Sequence, residues 1–587
     1  MTHHPHNQQQ QPQQQPQQQP QQDGQQDALG PIQASLAQAQ QACQAQDWSQ
    51  VIRHCEAAIG HCRQWQSLPA PSEAGALEQP ETQPQPETQP AAPRQDLAEL
   101  YQAKEALFER EGQLDSAVQA YQQALEHGPD HGPDRAELQI KLGDLADRQN
   151  QPAAAIAHYQ TAIALDPSSS AAQAKLAALL FQQQRWQGAI AHYQQALALG
   201  GDKLPPPART EIQKSLGQAC LEWGKQLKAQ GQPEAAAGAY LQAVQHQPHL
   251  FEAYNRLRYN LLRYEIASDA PILVEIAAVC QTIADKFPQL VPAHVVLGYA
   301  LTKLGKREAA MDCYRKISDR TTQRLHPQPA LWAQAERRSP DYIILGAEKS
   351  GTSSLYHYLK RHPAILSPIE KEIDFFDQEY GQGLDWYLAH FPAMPKVGAN
   401  GTGWRSGETS ANYLYSNVAP QRILEHFPQT KLIVLLRDPI ERTVSRFNMM
   451  VRNGTEKRSF ELAIKQEIQA LQAATSGDEI QWQALNVNRH LGNSLYYHHL
   501  KRWLNHFPRE QLLILPSEAL FAQPEATLTQ IYQQLGLDPS PEQDYPAYNA
   551  GTYAPIDPAL RQTLAEFLAP PTRQLESLLN CSFNWSL

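Results

Sequence analysis

The residues best placed to do chemistry lie in three short stretches of the second half of the chain. The first is YIILGAEKSGTSSLYHYLKRHP, Tyr342 to Pro363. An apolar run ends at Gly346, a loop of small and charged residues follows, and from about Thr352 an amphipathic pattern puts Leu355, Tyr358 and Leu359 on one face. The order reads strand, loop, helix. Backbone N–H groups that open a helix attract anions. Ser350, Thr352 and Ser353 add hydroxyl donors, Lys349 adds a cation, and Gly351 lets the backbone come close to a ligand. In the second stretch, KLIVLLRDPIERTVSRF, a buried strand delivers Arg437 at its end, Asp438 and Pro439 turn the chain, and a helix carries Ser445. The planar donor fork of an arginine suits a phosphate, and it suits a structural carboxylate equally. The third stretch, EKEIDFFDQEYGQGLDWYLAHFP from Glu370 to Pro392, holds three closely spaced carboxylates, Glu370, Glu372 and Asp374. A carboxylate beside cations can take a proton from an acceptor hydroxyl or amine. The plain alternative is a solvated acidic turn.

These side chains need a scaffold that brings distant segments together. The runs Tyr342–Gly346, Lys431–Arg437 and Gln511–Pro516 are short, apolar and separated by amphipathic helical pattern. Such runs suit the buried strands of a parallel α/β sheet. The stretch before Asp341 has a different texture. Ala, an aromatic four residues on and Ala three further on recur as Ala117/Tyr121/Ala124, Ala155/Tyr159/Ala162, Ala189/Tyr193/Ala196 and Ala236/Tyr240/Ala243, with a late partial copy at Ala310/Tyr314 and a degenerate early one at Val51/Cys55/Ala58. The steps between the tyrosines are 159 − 121 = 38, 193 − 159 = 34 and 240 − 193 = 47 residues, and Pro follows several copies, as at Pro129, Pro167 and Pro248. Small residues let paired helices approach, the aromatic fills the gap between them, and proline ends the second helix.

The repeat pattern, with its Leu142-Gly143 and Leu297-Gly298 pairs, resembles the tetratricopeptide repeat. The loop after the first strand differs from the P-loop pattern GxxxxGK[ST], because Lys349 precedes Gly351 and Thr352 follows it. It resembles instead the 5′-phosphosulfate loop of sulfotransferases that use 3′-phosphoadenosine-5′-phosphosulfate (PAPS). The Lys-Glu-x-x-Phe-Phe segment at 371–376, the later Gly-x-x-Trp-Tyr and the Leu495–Leu520 stretch are similar to the glycan-modifying branch, such as the heparan-sulfate sulfotransferases and their bacterial relatives. Three departures stand out: Asp374 where that branch often has His, Ser494 in place of a Gly, and no basic residue in the C-terminal loop Ala547–Pro555.

The resemblance implies a multidomain chain, an all-α tetratricopeptide-like solenoid followed by an α/β P-loop-like sulfotransferase domain with a parallel central sheet. The expected divisions are a disordered Gln/Pro-rich tail at 1–26, a degenerate helical repeat at 27–66, a Pro-rich linker at 67–94, repeats at 95–330 and the transferase at 341–587. It implies PAPS as donor, with Lys349, Ser350, Gly351, Thr352 and Ser353 on the phosphosulfate, Arg437 and Ser445 on the 3′-phosphate, Glu372 as base, Lys349 also acting in catalysis, and no metal. The acceptor, whether glycan, lipid, peptide or small molecule, is left open, and the repeats are expected to recruit a protein or a carrier-bound acceptor. A transferase fragment starting near Arg337 is expected to fold alone. Two other readings stand beside this one: a scaffold whose transferase domain is inactive, and a kinase-like or NTPase-like protein.

Composition narrows the setting. At roughly 100–200 residues per domain, 587 residues make several domains. A net charge of −11 argues against nucleic acid as partner. The seven cysteines form no CxxC pair and no zinc-spaced set, and only Cys581 lies beyond Asp341, so a reducing, cytoplasmic setting is expected. The opening MTHHPHNQQQQPQQQ has no apolar core of a signal peptide, and no run approaches the ~20 apolar residues of a membrane helix.

Overall fold

The computed structural model describes residues 114–127, 133–395, 403–477, 479–487, 489–540, 544–548, 551 and 553–587, with scattered positions between 30 and 61. The expected tail at 1–26, linker at 67–94 and most of the early repeat lie outside the described residues. The chain divides into two compact units, Met1–Cys220 and Leu221–Leu587.

In the first unit, helices α1 (Leu114–His127), α2 (Pro133–Arg148), α3 (Pro152–Leu165), α4 (Ser170–Gln182) and α5 (Trp186–Gly200) pack in sequence as antiparallel neighbours, and α6 (Pro206–Ala229) runs across the division. The Ala–aromatic–Ala triplets lie on the second helix of each pair and are buried, Ala155, Tyr159 and Ala162 on α3 and Ala189, Tyr193 and Ala196 on α5. The long step from Tyr193 to Tyr240 is taken up by a turn at Gly201–Lys203 and by the 24 residues of α6.

The second unit continues the helix pairs with α7 (Pro233–His246), α8 (Phe251–Asn255) running into a π-helical turn Arg256–Leu262, α9 (Ile272–Lys286), α10 (Val291–Lys303) and α11 (Arg307–Leu325). The pair around α9 escapes the sequence pattern. Its buried triplet is Ile276, Cys280 and Ile283, with the same spacing but a cysteine where the aromatic should be. In three repeats a glycine of the first helix faces the tyrosine of the second. A Cβ at Gly143, Gly224 or Gly298 would collide with the ring of Tyr159, Tyr240 or Tyr314. Gly298→Ala is therefore expected to destabilise the fold by about 1–3 kcal/mol through overpacking. Gly238→Ala on α7, where nothing lies within 4 Å of the added Cβ, should be neutral or gain up to about 1 kcal/mol from helix propensity. Urea unfolding of the two variants checks this, and equal midpoints would remove the close Gly–Tyr contact as a determinant.

The sheet follows in the same unit. β1 (Tyr342–Gly346), β2 (Ile365–Leu366), β3 (Arg405–Thr409), β4 (Lys431–Leu436) and β5 (Leu512–Pro516) are all parallel, in the order β2–β3–β1–β4–β5. Every residue of β1 and all of β4 but Lys431 are buried, as apolar runs covered on both faces require. Ile344, Ile433 and Leu515 pack against Leu355, Tyr358 and Leu359 of α12 (Thr352–Arg361) and against Leu528 and Ile531 farther along. From β1 the chain first builds one side of the sheet and then crosses to β4 on the other. That reversal opens a crevice beyond the carboxyl ends of β1 and β4, where ligands bind in such sheets.

Helices α7 to α11 and the sheet form one unit, and the contacts between them are buried and specific. Trp386 Nε1 donates to Thr302 Oγ1 at 2.9 Å, and the His390 ring lies 4.1 Å from that of Tyr314. Asp319 accepts from Arg337 Nη2 at 2.8 Å and from the Ala393 amide at 2.9 Å. The sequence hides this because the residues of α10 and α11 that meet the sheet domain are of the same kinds that stack repeat on repeat.

Candidate active site

The loop from Ala347 to Gly351 joins β1 to α12. Lys349 and Gly351 both have positive φ, 71° and 89°. Gly351 is the N-cap of α12 and makes no side-chain cap, and a helix N-terminus of this kind attracts anions. The positive φ of Gly351 favours glycine, and a Cβ there would also press on the Phe521 ring at 3.0 Å. At the end of β4, Arg437 donates to the Lys349 carbonyl at 3.3 Å. Asp438 caps α13 (Pro439–Arg452), accepting from the amides of Ile440 at 2.8 Å and Glu441 at 3.1 Å. One turn and a half into α13, Ser445 Oγ lies 3.2 Å from Tyr553 Oη.

These elements surround one cleft of about 880 Å³. Lys349, Gly351, Thr352, Ser353, Glu372, Arg437 and Ser445 all line it. Ser350 does not. It is fully buried, turned beneath the loop toward Tyr496, whose hydroxyl donates to the Arg437 carbonyl at 3.0 Å. The serine next to the lysine therefore presents no hydroxyl to the cleft. Burial pushes the Lys349 ammonium down, against the pull of Glu348. Burial would push the Glu348 carboxyl up, but Arg446 and Arg442 outweigh this and hold it low. Both guanidiniums contact Glu348 Oε2, Arg442 at 3.3 Å.

The three carboxylates of the third stretch separate cleanly. Glu372 faces the cleft with 29% of its side chain exposed, and its Oε1 accepts from Lys371 Nζ at 2.6 Å. Burial alone would raise its pKa; Lys371, with Arg263 and Arg258 behind, more than offsets this and keeps it below the usual carboxylate range. Glu370 and Asp374 turn the other way. Each is 2% exposed and ion-paired, Glu370 with Arg258 and Asp374 with Arg263. Glu370 Oε1 also takes a hydrogen bond from Tyr299 Oη at 3.1 Å and lies 3.3 Å from His390 Nε2. Burial works to raise the Glu370 pKa, yet Arg258 and His390 bring it down to about 2. Phe375 and Phe376 are buried under the segment, with the Phe375 ring stacked on Tyr387 at 4.9 Å.

The short helix Ser517–Ala522 after β5 adds Ser517, Glu518 and Phe521 to the lining, which the sequence motifs leave out, and the C-terminal loop adds Ala547, Tyr548, Gly551 and Tyr553. That loop reaches the cleft through aromatics, and Arg452 of α13 stands 5.9 Å over the Tyr553 ring. The loop has no basic residue of its own, and the cation near it comes from another element. Arg258 and Arg263 gave no signal at all, since nothing in the repeat pattern links them to a segment more than a hundred residues away. Among the described residues, no group of His, Cys, Asp or Glu is placed to hold a metal ion, and no helix is long and apolar enough to cross a membrane.

A parallel sheet with a helix N-terminus after β1, an arginine at the end of β4 and a carboxylate across the cleft is an arrangement suited to an anionic ligand. The family model of the sulfotransferase domain matches residues 339–546, and tetratricopeptide-repeat models match 96–168, 140–203 and 291–320, so the chain joins tetratricopeptide repeats to a sulfotransferase domain. The membrane-associated sulfotransferase kil1 of Dictyostelium discoideum is 26% identical over 42% of this chain and 66% of its own length. The bifunctional heparan sulfate N-deacetylase/N-sulfotransferase 3 of Mus musculus is 31% identical over 36% of this chain and 24% of its own. Heparan sulfate glucosamine 3-O-sulfotransferase 3B1 of Mus musculus is 32% identical over 34% of this chain and 47% of its own. The chain thus spans between about a quarter and two thirds of the length of these relatives.

Proposed function

We propose that the protein transfers a sulfuryl group from PAPS to a hydroxyl or amine. The observation that carries this reading is the gathering of Lys349, the opening of α12, Arg437, Ser445 and Glu372 around one cleft. Lys349 and the amides of the α12 opening would hold the phosphosulfate, and Arg437 and Ser445 the 3′-phosphate. Glu372 takes the proton of the acceptor as its oxygen or nitrogen attacks sulfur. The bond from sulfur to the bridging oxygen breaks, and the charge that collects on the departing phosphate is stabilised by Lys349 and the loop amides. Holding both ends of the nucleotide aligns the donor for in-line attack. The two mouse relatives are both named for heparan sulfate, which makes a glycan of that kind the first acceptor to try. The repeats recruit a protein or a carrier-bound acceptor through their stacked helices. A reducing, cytoplasmic setting accords with the free thiols of Cys220, Cys280, Cys313 and Cys581.

Calorimetric titration with PAP, the desulfated product, tests the donor. PAP is expected to bind more tightly than AMP or ATP. Arg437→Ala should weaken PAP on the order of 10- to 100-fold, the worth of a hydrogen bond to a charged group, and leave AMP nearly unchanged. An unaltered PAP-to-AMP ratio would place the 3′-phosphate elsewhere, and tighter binding of ATP than of PAP would favour the NTPase reading. Labelled PAPS offered with glycans, lipids, peptides and phenols then identifies the acceptor.

A further inference from the structure

We infer that Arg258 and Arg263, which belong to the repeat helices, are positioning residues for Glu372, so that the last repeats are a working part of the transfer site. The inference rests on the proposed role of Glu372. Both guanidiniums donate to the main-chain carbonyl of Glu372, Arg258 Nη2 at 2.8 Å and Arg263 through its own Nη2. Each also clamps a carboxylate two residues to one side, Glu370 or Asp374. The segment is therefore held at three successive alternate residues, 370, 372 and 374, from a single helical turn. Arg263 Nη2 further donates to Tyr299 Oη at 2.7 Å, and that hydroxyl donates on to Glu370. The Arg263 side chain is 1% exposed and that of Arg258 8%, so neither is a loose surface contact.

The backbone explains how two residues five apart can act together. In a regular α-helix, at about 100° per residue, they would point well away from each other. Here Arg256–Leu262 forms a π-helical turn, and the Arg263 amide bonds the Arg258 carbonyl at 3.2 Å, the i to i+5 link that widens the helix. The widening sets both side chains toward the same segment. π-Helical turns of this kind gather at functional sites.

Two buried cations behind the carbonyl also act on the carboxylate. The charged and titratable groups that face Glu372 are Lys371 on its own segment, Arg258, Arg263 and Tyr259 from the repeats, and Asp374. With one arginine fork lost, the segment loosens and the pull on Glu372 weakens, so its pKa rises.

The test uses the full chain with Arg258→Gln and Arg263→Gln, each of which removes a charge and a fork. Arg258→Lys and Arg263→Lys, which keep the charge, serve in case the neutral variants do not fold, and in them kcat alone is expected to change. Three quantities are read: PAP affinity by calorimetry, PAPS turnover with de-N-sulfated heparin and with water alone, and the pH profile of kcat/KM. PAP affinity is expected to stay within about twofold while kcat falls on the order of 100-fold, the effect of roughly a 1 Å misplacement. The acidic limb of the profile should move to higher pH. A folded variant with wild-type kcat and an unmoved acidic limb overturns the inference and leaves the arginines as struts. Failure of the underlying reading looks different, since wild type itself would then convert no PAPS even though it binds PAP.

Discussion

Glu372→Gln is expected to lower kcat for sulfuryl transfer by about 10²- to 10⁴-fold, the usual contribution of a general base, with PAP affinity unchanged. Glutamine keeps the size of the side chain and can still accept from Lys371, so the loss isolates the proton acceptor. The choice among the three carboxylates follows from geometry. Glu372 lines the cleft, while Glu370 and Asp374 are buried against Arg258 and Arg263. The sign of the pH dependence follows from the cations around Glu372. Its pKa lies below the ordinary 4.5 despite burial, because Lys371, Arg263 and Arg258 favour the charged form. The base is therefore ionised throughout neutral pH, and the rate should fall only as pH drops through that lowered value. Rate against pH for wild type and Glu372→Gln decides the matter. A variant within a few fold of wild type, or an acidic limb near neutrality, would assign the proton to another group.

Much of the site could be read from the sequence because it sits where local patterns change. The strand ending at Gly346 and the strand ending before Arg437 are apolar runs followed by polar turns, and such junctions are visible without any tertiary information. Their side chains meet because both strands are parallel neighbours, and β1 pairs with β4 directly. Ser350 went the other way, since a loop between two positive-φ residues can aim adjacent side chains to opposite sides, and residue type does not reveal which. The repeat around Cys280 was missed because a cysteine fills the space of the ring. The link from Arg258 and Arg263 to the Glu372 segment depends on a π-helical turn and on the docking of two domains, and neither leaves a periodic trace in the sequence.

That docking bears on the expectation that a fragment starting near Arg337 folds alone. The structure leads to the opposite outcome. Residues 337–587 without α7 to α11 are expected to be insoluble or to lack a cooperative transition, whereas a fragment from Pro206, which keeps α6 whole, should fold and bind PAP like the full chain. Cutting at Arg337 strips the arginines from Glu370 and Asp374, two carboxylates each 2% exposed. Breaking a buried pair by removing one partner costs about 3–5 kcal/mol. Trp386 and His390, both fully buried, lose Thr302 and the Tyr314 ring as neighbours. Water reaching the two carboxylates relieves part of the charge term, but the exposed aromatic face then favours association. Against a total stability of about 5–15 kcal/mol for a domain, losses of this size leave little. Circular dichroism melts and PAP titrations of the two fragments and the full chain are the measurement. If residues 337–587 melt cooperatively and bind PAP as tightly as the full chain, the repeats only lean on the transferase, and the positioning assigned to Arg258 and Arg263 would have to come from within the sheet domain.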